Sequence, residues 1–264
     1  MRADVSVILP SFNSEGTILR AIDSIISQTL LPEELVIIDD GSDSPDYLAR
    51  IPYYIGHRIK HKIIRLPQNR GASHARNIGV THASSTYLAF IDADDCWHVD
   101  KLNIQLPLMI ESGVNLSAHR YISNLNTTSF PPTSLPRSNF VYYQQLLLKN
   151  HFATPTVVAR KSHFLGFDEN LKRMEDYKCW LENTLTDPAL LIDLALAGGF
   201  KRPIGQSGLS ANMHAMHRGA ISAFGSLYRE RKINLFECAL AMTVEYAKYP
   251  VRVARATLSR HKEI

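Results

Sequence analysis

The chain has 264 residues, 45% of them hydrophobic and 20% charged, which is enough apolar material for a packed core and excludes disorder as the main state. The richest apolar run, Ala189 to Gly199, is short and carries Asp193, so a membrane-spanning helix of about 18 or more residues is not expected. The net charge of +4 is unevenly placed: from Ala220 onward eight Lys/Arg stand against four acids, leaving the first 219 residues neutral. That excludes a broad nucleic-acid surface and points to one localised basic face.

In chain order, the N-terminal segment is charged and strand-like, with neither an apolar h-region nor a cleavage site, so no secretory signal is expected. Val5 to Leu9 is a short apolar run closed by Pro10, as in a buried parallel strand. Glu15 to Thr29 places Ile18, Leu19, Ile22, Ile25 and Ile26 at helical spacing. Leu35 to Ile38 predicts a second strand, Lys62 to Leu66 a third and Thr86 to Ile91 a fourth. Gly71 to His82 predicts a helix between the last two. This alternation implies an α/β fold with a parallel sheet flanked by helices, in which ligands bind beyond the carboxyl ends of the strands. Further on, Asn124 to Asn139 reads as a long loop rich in Ser, Thr, Pro and Asn. Val141 to Lys149 and Met174 to Leu185 read as helices, and Ala220 to about Arg260 as mostly helical, broken at Pro250. Cys96, Cys179 and Cys238 are scattered with no metal-like spacing, as reduced thiols of a cytosolic protein would be.

Several strand and helix ends carry chemistry. Asp92-Ala93-Asp94-Asp95 follows a buried strand, and its carboxylates could hold a divalent cation with a diphosphate or form a solvated acidic turn. Asp39-Asp40-Gly41-Ser42 could bond a ribose or base edge, or simply turn the chain. The Gly71 helix start suits an anion, with Arg76 either a phosphate contact or a surface arginine. Glu175-Asp176 opens a helix and could cap it or act as a general base. His214 and His217 could ligate an ion or serve the structure.

Four ordered motifs bind these pieces together: Val5 to Asn13, Leu35 to Ser42, Asn69 to Asn77 and Tyr87 to Trp97. Together they resemble family 2 glycosyltransferases with the GT-A fold, densely over residues 4–102 and thinly afterwards. The resemblance implies a Rossmann-like, mostly parallel central sheet with a helical C-terminal extension. It divides the chain into a GT-A domain over 1–219 (nucleotide-binding half 1–102, acceptor-binding half 103–219) and a basic extension over 220–264. It places Pro10, Ser11, Phe12 and Asn13 around a nucleobase, Asp39 on the base and Asp40 beneath its loop. Arg76 falls near the base or diphosphate, with Asp92 and Ala93 at the ribose. Asp94, with Asp95 nearby, would hold Mn²⁺ or Mg²⁺, Asp176 beside Glu175 would be the catalytic base, and His217 an accessory metal or diphosphate contact. At this last position the chain reads His214-Ala-Met-His217 where the family often shows Tyr-Arg-x-x-His.

The implied activity is inverting, non-processive transfer of one hexosyl or N-acetylhexosaminyl unit from a nucleoside-diphosphate sugar, a UDP-sugar by preference. The acceptor would be a hydroxyl of a glycan or lipid-linked oligosaccharide in surface-polysaccharide, lipopolysaccharide or O-antigen synthesis. The Gln-x-x-Arg-Trp motif of processive members does not occur. Alternating apolar residues and arginines in Val251 to Lys262 suit either peripheral contact with an anionic membrane surface, at the inner face of the membrane, or a solvated helix or homodimer contact. A catalytically silent nucleotide-sugar-binding scaffold of the same fold is the competing reading. The retained acids Asp39, Asp92, Asp94 and Asp176 count against it. A dinucleotide oxidoreductase is excluded because no Gly-x-Gly-x-x-Gly follows the first strand.

Overall fold

Strand β1, Arg2–Ser11, sends Val5, Val7 and Leu9 into one core cluster and Ile8 into another, and all four are fully buried. A run that is apolar on both faces is what a strand covered by helices on both sides requires. The computed structural model describes residues 2–126, 129–131, 136–200 and 212–261, with side chains described as far as 254. After β1 come α1 (Ile18–Ile26), β2 (Leu31–Asp39), α2 (Ile51–Ile55), β3 (Lys60–Arg65), α3 (Ala72–His82), β4 (Tyr87–Phe90) and β5 (Asp95–Trp97). The second half contains α4 (Lys101–Ser112), β6 (Leu116–Ile122), β7 (Ser138–Val141), α5 (Tyr143–Leu148), β8 (Val158–Arg160), α6 (Glu175–Glu182), β9 (Ala189–Gly199), α7 (Met213–Arg229) and α8 (Leu235–His261).

Strands β3, β2, β1 and β4 pair in that order, all parallel, which is the doubly wound half expected from the first hundred residues. The sheet then continues through β8, antiparallel to both β4 and β6, to β9, which runs parallel to β6. One edge of β9 holds β7 along its first residues and β5 along its last three. One core packs Ile18, Ile22 and Ile25 of α1, at helical spacing, against Val5, Val7 and Leu9. The other packs Phe90, Trp180 and Phe224 beneath α6 and α7, with Phe90 and Phe167 in an edge-on contact at 5.4 Å.

In the second half, one run left unassigned from sequence acquires an element, and two parts differ from the expectation. Ala189 to Gly199, the apolar run, is the long strand β9, and the loop expected over 124–139 ends in β7, whose backbone pairs with β9. The C-terminal helix is not broken at Pro250. Pro250 offers no N–H to the Tyr246 carbonyl one turn earlier, but both residues are exposed, where water can replace the lost donor, and the helix runs on. The helical part does not begin at Ala220 either. Asn212 caps α7, its side-chain oxygen accepting from Ala215 N at 2.9 Å, so position 219 lies inside a helix.

Candidate active site

A cavity of about 670 Å³ opens where β1, β2 and β4 end. Pro10, Ser11, Phe12 and Asn13 form one wall, Asp40, Gly71 and Arg76 the floor towards α3, and Asp92, Ala93 and Asp94 the far side. The loops are tied to one another rather than left loose. Asn13 Nδ2 donates to Asp43 at 2.7 Å, Asp43 N returns a bond to Asn13 Oδ1 at 2.9 Å, and Asn13 N donates to Ser42 Oγ at 2.8 Å. Asp40 accepts from Arg70 N at 3.0 Å and Gly71 N at 2.7 Å, pinning the start of α3. This closeness needs Gly41: its φ is +73°, and a Cβ there would lie 2.6 Å from the Gln68 carbonyl carbon. Phe12 leaves its ring 43% exposed at the cavity wall, a flat apolar face of the kind on which a base stacks.

Asp39 departs from its expected place on the base. It is fully buried and does not line the cavity. Its carboxylate accepts from Ser42 N at 3.2 Å, from Ser42 Oγ and from Tyr47 OH at 3.3 Å, and meets Arg65 Nε at 3.5 Å. Tyr47 also bonds Ser11 Oγ at 2.9 Å, so Asp39 holds the cavity wall from beneath. Tyr47 carries no motif of its own and only the fold brings it here.

Arg76 is the centre of the site's electrostatics. It is buried, its Nη2 lies 2.7 Å from Asp92 Oδ1 and its Nη1 lies 3.5 Å from Glu175 Oε1, with the guanidinium over the Phe167 ring. Burial works against its charge, but Asp92 and Glu175 outweigh it and hold the guanidinium protonated. The surface-arginine reading is therefore wrong: Arg76 joins the acidic loop after β4 to the start of α6, 99 residues later in sequence. Met174, just before α6, takes a left-handed conformation with φ +61°, which turns Glu175 and Asp176 into the helix start. Asp176 accepts from Tyr177 N at 2.7 Å. Enclosure by protein and the charge of Glu175 push its carboxyl up to about 7, against the opposing pull of Arg76.

Of the three acids in the loop after β4, Asp92 and Asp95 meet side chains from other elements. Asp92 pairs with Arg76, and Asp95 is buried in β5, where Tyr121 OH donates to it at 2.7 Å. Among the described residues no three His, Cys, Asp or Glu side chains converge as a ready-made metal cage. Asp94 and Asp92 on the cavity wall are nevertheless hard oxygen donors of the type Mg²⁺ and Mn²⁺ select, and such ions take much of their shell from phosphates and water. The donor set fits an ion carried with a diphosphate. His217 does not line the cavity. It is buried in α7, its Nδ1 3.0 Å from Glu245 Oε1 and its ring stacked on Tyr249 at 4.4 Å, both partners coming from α8. His214 likewise meets the Tyr249 hydroxyl. The three cysteines are free and buried.

A parallel half-sheet with acidic strand-end loops around one cavity, joined to a mixed half-sheet that brings a carboxylate pair alongside, is a GT-A arrangement. The model of glycosyl transferase family 2 matches residues 6–166, and the chain belongs to that family. It is 30% identical, over 79% of its length and 80% of the other protein, to the UDP-Glc:alpha-D-GlcNAc-diphosphoundecaprenol beta-1,3-glucosyltransferase WfgD of Escherichia coli. Among solved structures, S. aureus TarS 1-349 in complex with UDP superimposes with a TM-score of 0.69 at 19% identity, covering 94% of this chain and 72% of that one. The mannosyltransferase PcManGT from Pyrobaculum calidifontis, in complex with GDP-Man and Mn²⁺, gives 0.67 at 15% identity over 100% and 80%. Among the described residues no helix is long and apolar enough to cross a membrane.

Proposed function

We propose that the chain moves one sugar from a UDP-sugar to a hydroxyl of a sugar carried on a lipid diphosphate, with inversion at the anomeric carbon. The observation that carries this reading is the Arg76 bridge, which couples the donor wall at Asp92 to the acid pair at Glu175 and Asp176. Phe12 offers the base a stacking face, and the Pro10 to Asn13 wall bounds the nucleoside. Asp94 and Asp92 would hold a divalent ion. When bound, it supplies positive charge for the departing diphosphate. Asp176, partly accessible and with its pKa raised, accepts the proton of the acceptor hydroxyl, whose oxygen attacks the anomeric carbon from the face opposite the diphosphate. Fixing donor and acceptor in one site supplies a further share of the acceleration.

The similarity to a glucosyltransferase that uses UDP-Glc and a GlcNAc-diphospholipid makes that pair the first to assay. Transfer from UDP-Glc to a GlcNAc-diphospholipid, followed by UDP release, should be measurable in the native chain. It should fall by about 10²- to 10⁴-fold in Asp176→Asn, while UDP binding stays within about twofold. Full activity in that variant would remove Asp176 from its role.

A further inference from the structure

We propose that the groove formed by Arg120, Tyr121, Asn150, His151 and Phe152 is the seat of the acceptor's diphosphate, a second anion site beside the donor cavity. The inference rests on the function proposed above and extends it to the acceptor. The groove is an open surface depression of about 380 Å³ and shares no lining residue with the donor cavity. One side chain joins the two: Tyr121 lines the groove, and its hydroxyl donates to Asp95 in the acidic loop at 2.7 Å. The Asp92 and Asp94 carboxylates also act on that hydroxyl. The groove and the acidic loop therefore stand at the two ends of one tyrosine side chain.

The chemistry of the lining suits an anion. Arg120 projects from the end of β6 with 69% of its side chain exposed, and its surface pair with Asp193 is one that a diphosphate could displace at little cost. His151 offers imidazole nitrogens, and Asn150 fixes the turn by accepting from Phe152 N at 2.9 Å. Two lysines add positive potential. Lys149 precedes the groove in the chain, and Lys248 of α8 reaches across to donate to the Leu148 carbonyl. Burial, then Lys149 and Lys248, push the His151 pKa below its ordinary value, so the imidazole meets an anion as a neutral hydrogen-bond donor. The carboxylates nearest it are Asp193, paired with Arg120, and Asp95, which accepts from Tyr121. A guanidinium and an imidazole lining one open groove offer a diphosphate hydrogen-bond donors, the guanidinium's being charge-assisted. Lys248 also lies on the helix whose following turns carry Arg252 and, in sequence, the remaining arginines, so cationic residues continue from the groove along the chain.

The test is calorimetric binding of farnesyl diphosphate, with farnesol as the uncharged control, to the full chain with and without saturating UDP. The diphosphate should bind with UDP present, farnesol should bind much more weakly, and Arg120→Gln and His151→Gln should each weaken diphosphate binding about tenfold. UDP binding in both variants should stay within about twofold, which also reports that they fold. Unchanged affinity for the diphosphate in both variants would overturn the proposal, as would its complete displacement by UDP, which would place it in the donor cavity. Absence of UDP binding to the native chain would count against the donor assignment alone, because the diphosphate titration reads the groove separately.

Discussion

At the scale of single residues, the site turns on one carboxyl held away from its ordinary state. Asp176 titrates near 7 because enclosure and Glu175 disfavour its charge more than Arg76 favours it. A base must be ionised to accept a proton, so transfer should rise with pH through about 7 and level off above it. A pH profile flat from 5 to 8 would show that Asp176 does not set the rate. The raised pKa acts on stability in the opposite sense. The unfolded chain gives up this proton near the ordinary aspartate value, the folded chain only near 7, so the stabilising contribution is present at low pH and lost as pH rises between the two. Asp176→Asn should therefore melt at a higher temperature than the native chain at pH 8 and show little difference at pH 4, as read by calorimetric scans. Arg76→Gln removes the cation that favours the ionised carboxylate. The rise in activity should move to higher pH, and transfer at pH 7 should fall about tenfold for every pH unit that the rise moves. Residue types and spacing picked out most residues of the candidate site. Asp92, Asp94, Asp176 and Arg76 were visible as strand-end and helix-start groups. The pairing of Arg76 with Glu175 was not, because nothing local relates residues 99 apart.

At the scale of elements, the proposed base Asp176 and its neighbour Glu175 depend on how α6 is placed. Its first residues follow a left-handed Met174, and α7 presses against the preceding turn through Gly219, where a Cβ would lie 2.7 Å from Arg173 Cβ and 2.9 Å from its carbonyl oxygen. The far end of α6 is tied down by Lys178, which reaches Asp168, Glu182 and Glu230 at 2.8, 3.0 and 2.8 Å. Gly219→Ala should push the 173–176 turn outward and lower transfer at least about tenfold. Far-ultraviolet circular dichroism should stay native, because both helices keep their own hydrogen bonds. Native activity in that variant would show that the turn has more room than the packing suggests. Elements with strong periodicity, β1, α1 and α3, were legible from sequence. Ala189 to Gly199 was not assigned to an element, since a short apolar run does not by itself distinguish strand from helix. Its partners β5, β6 and β7 settle its pairing only in the folded chain. Pro250 misled for a related reason: a proline ends a helix only where the freed carbonyl cannot meet water or bend.

At the scale of the molecule, the sheet divides the chemistry. The parallel half ends in the loops around the proposed donor cavity, and the mixed half supplies α6 and the Arg120–Tyr121 groove. The parallel half was readable because a parallel strand is buried on both faces and its loops cluster at one edge. The mixed half was not, because its strands pair out of sequence order and its role lies in contacts between distant segments. Calorimetric titration of the purified chain with UDP, in Mn²⁺ and then in EDTA, tests the central claim most directly. Binding at a single site is expected in Mn²⁺, weakened at least about tenfold by EDTA and by Asp94→Ala. Absence of binding in both conditions, for GDP, dTDP and CMP as well as UDP, would contradict it.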